Sequence, residues 1–148
     1  MAFGLVLLHL GFGPVLDWIF VACLLLLVAL RYLRRLSWAR SSAIAWTTFM
    51  LAGLSTPSTG VPHVGNNDKI IHALIFTGFG YLWRRSGLTN RQTIGWGTAF
   101  AVLTEVYQGL MPIGRSCDWK DALADLVGVL IGLLFAWATA FLLRKLNR

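Results

Sequence analysis

The stretch GRSCDWKDALADLVG, residues 114–128, carries one arginine, one lysine and three aspartates in an otherwise apolar chain. Beyond Asp125 the sequence runs without a charge to Arg144. Apolar residues at that length predict a helix fit to enter a bilayer, which needs ~20 apolar residues. Asp125 lies inside the apolar part. An ionised group in such a place is costly and usually functional, so it must be explained.

Composition points the same way. Of 148 residues, 57 % are hydrophobic and 13 % charged, and the mean hydropathy is +0.68. Soluble domains carry about a quarter charged residues, so a single membrane domain over residues 1–148 is expected. The net charge of +7 raises the question of nucleic acid, but the basic residues fall in loops beside apolar runs. Contact with anionic lipid headgroups accounts for them, and no nucleic-acid partner is expected. Cys23 and Cys117 lie in different surroundings and form no C-x-x-C or Cys/His spacing, so no metal ligands are expected from motif. The N-terminus has no basic region before its apolar residues, unlike a secretory signal.

Five apolar runs predict an all-α, polytopic helix bundle. They cover Gly13–Leu30, Trp38–Leu54, Asp68–Trp83, Ile94–Met111 and Ala122–Leu143. Arg31, Arg34, Arg35 and Arg40, then Arg84, Arg85 and Arg91, then Arg144, Lys145 and Arg148, fall on one side of such a bundle. Lys69, Arg115 and Lys120 fall on the other. The positive-inside rule then places the N-terminus outside and the C-terminus in the cytoplasm. Under that topology every acid (Asp17, Asp68, Glu105, Asp118, Asp121, Asp125) and His9, His63 and His72 lie in the outer half. The rule concerns the arginines and does not explain that clustering. An outward-facing polar site does.

Three motifs supply its residues. In NNDKIIHALIF, Asp68 and His72 are four apart and share a helix face. Either Asp68 orients the imidazole and raises its basicity, or Asn67 or Asp68 caps the helix and His72 is a packed core residue. In LTEVYQGLMP, Glu105 and Gln108 share a face where an unpaired carboxylate costs several kcal/mol. Inter-helix hydrogen bonding is the plain alternative, although a glutamine alone meets that need. In the opening stretch, Asp118 is expected as N-cap of a helix starting at Trp119, with Asp121 at its third position, an acidic variant of the capping box. Asp121 and Asp125 share a face, and capping does not explain Asp125. Gly128 and Gly132 form a G-x-x-x-G, expected to bring this helix near the face carrying Glu105.

Taken together, Asp68, Lys69, His72 and Phe76, then Glu105 and Gln108, then Gly114, Arg115, Asp118 and Asp121, then Asp125 and Gly128 resemble the signature of the VanZ-like family of bacterial membrane proteins. The resemblance covers residues 55–134. Asp125 stands where that pattern more often has Asn, which adds a negative charge. The resemblance implies a multi-pass cell-envelope protein of the bacterial cytoplasmic (inner) membrane, of a family named for teicoplanin (glycopeptide) antibiotic resistance. It implies no reaction and no cofactor.

The site expected from these readings has Asp68, His72, Glu105, Asp121 and Asp125 as candidates for chemistry. Lys69, Gln108, Arg115, Ser116 and Asp118 are candidates for ligand contact. Arg115 is the natural bidentate grip on a phosphate or carboxylate. Two functions fit: binding an anionic envelope molecule, either a lipid-linked phosphate or a glycopeptide, or acid–base or metal-assisted chemistry on such a substrate. No G-x-S-x-G, H-E-x-x-H or P-loop is present to favour the second. Membrane lipid is the other expected partner.

Overall fold

The computed structural model describes residues 14–32, 35–54, 68–110 and 117–147, and the side chains at 14–21, 54 and 68 lie outside that description. Five α-helices and no strands occur among the described residues: α1 (Pro14–Tyr32), α2 (Trp38–Leu54), α3 (Asp68–Arg85), α4 (Asn90–Leu110) and α5 (Trp119–Leu146). The all-α expectation holds. α2 matches its apolar run and α3 starts where its run does; other ends differ where hydrogen-bonding groups, not apolarity, set them.

The α3–α4 connection makes the point. The backbone N–H of Leu88 bonds to Trp83 O and that of Gly87 to Arg84 O, with Gly87 at φ 112°. This is a Schellman ending, which places a left-handed residue just past the helix and so favours glycine there. It carries α3 to Arg85, two residues beyond the apolar run. Thr89 then caps α4. Its Oγ1 accepts from Gln92 N at 3.2 Å, and Gln92 Oε1 accepts from Thr89 N at 2.9 Å. This reciprocal capping box starts α4 at Asn90 instead of Ile94. Arg84 ties the turn together through Asn90 Oδ1 at 2.8 Å and Leu88 O at 3.2 Å.

Among the described residues one helix, α5, is long and apolar enough by itself to cross a membrane. Its 28 residues run about 42 Å at 1.5 Å per residue, against a hydrocarbon core of about 30 Å. Only 22 % of its apolar window is buried, whereas the core helix of a soluble protein is mostly buried. Leu130, Leu134, Phe135 and Leu142 are exposed along it. Of α1 the described side chains cover only Ala22–Tyr32, a shorter apolar stretch, and α2–α4 fall short of the same standard. α2 has 17 residues, and α3 carries Asp68, Lys69, Arg84 and Arg85 within 18.

The core lies where α2, α3, α4 and α5 meet. Phe76, Phe79, Met50, Ala101 and Val129 are buried together. Phe79 stacks on Phe100 at 5.4 Å with an interplanar angle of 7°. α2 is held to α3 by two indole N–H donors, Trp46 Nε1 to Ile75 O at 3.0 Å and Trp83 Nε1 to Thr47 Oγ1 at 2.9 Å.

The glycine pair corrects one expectation. A methyl added at Gly128 would run into the carbonyl oxygen of Ala73, and one at Gly132 into that of Thr77. Both partners lie on α3, so the G-x-x-x-G brings α5 against the helix bearing His72, not the one bearing Glu105. Contact with α4 runs instead through Val129, whose Cγ2 lies 2.7 Å from where a Cβ on Gly97 would sit. Spacing identifies a shared face; it does not say which neighbour that face meets.

Candidate functional site

The chain runs down α3, up α4 and down α5, so the start of α3, the end of α4 and the start of α5 share one end of the bundle. His72 lies four residues into α3, Glu105 five from the end of α4, and Asp125 six into α5. At 1.5 Å per residue, each is roughly 6–9 Å inside its helix end. The three side chains are 5 %, 3 % and 0 % exposed. They converge: donor atoms of His72, Glu105 and Asp125 all lie within 4.8 Å of one another.

His72 Nδ1 stands 3.0 Å from Asp125 Oδ1. The carboxylate that the described structure places on the imidazole is therefore Asp125, from another helix. The side chain of Asp68, the alternative read from sequence, lies outside the described residues, as do Arg115 and Ser116.

Glu105 takes an unexpected part. Its Oε2 accepts from the backbone N–H of Asp118 at 3.0 Å. In an ordinary capping box that N–H would go to the third helical residue, Asp121. Here Asp118 performs its own half, accepting from Lys120 N at 2.9 Å, while a carboxylate from α4 replaces the other half. Asp121 is thereby left for Lys69, whose Nζ lies 2.7 Å from Asp121 Oδ1 and 3.3 Å from Asp118 Oδ2. Lys69, expected as a ligand contact, forms a partly exposed rim of ion pairs. No sequence spacing signals either bond, because each joins different helices.

Within the rim, polar capacity remains open. Glu105 Oε1, Gln108 Nε2 and Asp125 Oδ2 are buried and have no hydrogen-bond partner among the described residues. Buried polar groups are ordinarily paired, and the Glu105 and Asp125 oxygens belong to side chains that converge with His72. At the N-cap of α5, the Asp118 carboxyl is held below its ordinary value, first by the Lys120 amide and, against the effect of desolvation, by Lys69. An apolar groove lined by Cys23, Trp46, Phe49 and Leu82 shares no residue with this cluster.

Comparison with known proteins agrees with the motif reading. The family model described as VanZ/LLP1 matches residues 16–143. The chain belongs to the VanZ/LLP1 family. The match takes in α1, and so extends well beyond the 55–134 region carrying the motifs. For this VanZ/LLP1 chain, no curated protein and no solved structure matches at a significant level.

Proposed function

We propose that this VanZ/LLP1 protein is a multi-pass protein of the bacterial cytoplasmic membrane, with its N-terminus outside and its C-terminus in the cytoplasm. Its outward end binds an anionic envelope molecule, a lipid-linked phosphate or a glycopeptide, and thereby affects glycopeptide susceptibility. The observation that carries this reading is the set of unpartnered buried atoms, Glu105 Oε1, Gln108 Nε2 and Asp125 Oδ2, at one end of the bundle. A network built only to hold helices together would close those bonds. The exposed apolar surface of α5 and the clustering of Lys and Arg in alternate loops support the topology. Helices α1–α4, shorter or more polar than α5, are read as spans that gain from being packed beside it.

A second reading, acid–base or metal-assisted chemistry on a lipid-linked substrate, is favoured by the imidazole of His72 held by Asp125 beside Glu105. A carboxylate-oriented histidine is a common general base.

The test is paired measurement of membrane abundance and glycopeptide susceptibility for Glu105→Gln and Arg115→Lys. The first keeps an acceptor for the Asp118 N–H and removes the charge; the second keeps charge and loses the bidentate fork. Both variants are expected to accumulate normally and to lose the susceptibility effect. Normal abundance with unchanged susceptibility in Glu105→Gln would reduce the cluster to packing. A reporter fused after Arg148 is expected to be cytoplasmic, and Cys117, exposed beside the cluster, to react with an impermeant thiol reagent from outside. The opposite pair of results would sink the outward-facing site.

A further inference from the structure

We propose that His72, Glu105 and Asp125 hold one divalent metal ion of the Mn2+ to Zn2+ class. Three observations carry it. First, the donor set is right: one imidazole nitrogen and two carboxylates, from three different helices, lie within 4.8 Å of one another. Nitrogen and oxygen donors without a thiolate suit these ions.

Second, the spacing fits. Two donors bound at ~2.1 Å to one ion stand ~3.0 Å apart at an octahedral angle and ~3.4 Å at a tetrahedral one. His72 Nδ1 and Asp125 Oδ1 are 3.0 Å apart. A hydrogen bond also has that length, so the pair alone decides nothing. The third donor and the orphaned oxygens do. Glu105 Oε1 and Asp125 Oδ2 are buried without partners among the described residues, on side chains 3 % and 0 % exposed. Nothing in a His–Asp hydrogen bond uses them.

Third, charge must balance. The cluster buries two carboxylates, and the bonds of Lys69 go to Asp118 and Asp121 at the rim, not to Glu105 or Asp125. Buried carboxylates require pairing, protonation or a cation. A divalent ion meets both charges at once. It also gives an anion something to approach in a place otherwise lined by carboxylates. This inference deepens the envelope-anion reading and shares its site, although the ion is bound whether or not the anion is present.

The experiment uses the full chain purified in detergent, stripped with a chelator, and titrated with Mn2+ alone and with Zn2+ alone. One equivalent per chain is expected, weakened at least tenfold in Asp125→Asn and Glu105→Gln and unchanged in Lys120→Gln. Absence of saturable binding in the wild type overturns the proposal, as does binding that survives both substitutions. If either variant fails to fold, X-ray absorption of the Zn2+-loaded wild type decides. A shell of nitrogen and oxygen is expected, and sulfur ligation refutes the site. Metal binding with unchanged susceptibility in Glu105→Gln would keep the ion and remove the anion reading; altered susceptibility without metal binding would do the reverse.

Discussion

Asp118 shows how much one residue can be asked to do. Its side chain caps α5 through Lys120 N, its backbone N–H goes to Glu105, and its second oxygen meets Lys69. Because the folded carboxyl is held below its ordinary value of 3.8, its stabilisation is complete above that value. It is lost as the pH falls through the lower folded value. Asp118→Asn keeps a good N-cap and removes the titration. We expect it to fold normally at neutral pH and to lose part of the acid sensitivity, followed by circular dichroism in detergent. An identical acid profile would mean that the carboxylate charge contributes nothing to folding.

Among the helices, the glycine contacts set the spacing on which the site depends. Ala73 lies next to His72 on α3, and Gly128 lies three residues beyond Asp125 on α5. A methyl at Gly128 has a backbone carbonyl in its way, which cannot swing aside as a side chain does. Gly128→Ala is expected to lower the midpoint of thermal unfolding, with an overpacking cost of about 1–3 kcal/mol. It should also pull His72 away from Asp125. Gly95→Ala, on α4 with nothing within 4 Å, should be neutral or stabilising by up to about 1 kcal/mol. Equal midpoints for the two would remove the steric account of the α3–α5 contact. Sequence made the existence of these helices legible, because apolar runs and the Asp118 cap are local signals. It made the convergence legible too, since polar faces at one depth cannot all meet lipid. The start of α4 was legible in principle, in Thr89 and Gln92, but apolarity alone pointed to Ile94. What remained out of reach were bonds between elements: Glu105 to Asp118, Lys69 to Asp121, and the choice of α3 as the partner of Gly128. Periodicity orders residues around one helix axis and is silent about the next.

On the scale of the whole molecule, the helices are unequal. α5 meets the length and composition of a span unaided, yet it follows α1–α4 in the chain, and it carries Asp125, the partner of His72. While the ribosome is still synthesising it, α3 and α4 must wait with His72, Glu105 and Gln108 facing no α5. The nascent chain therefore passes through an interval in which these polar faces lack the partner that α5 brings. A chain stopped after Cys117 is expected to be degraded or retained at the insertion machinery, seen as low abundance in pulse-chase labelling. Stable accumulation of the truncated chain would show that α1–α4 assemble without help. If they do not, quality control of the bundle rests on α5, and damage there is read by the cell as an unfinished protein.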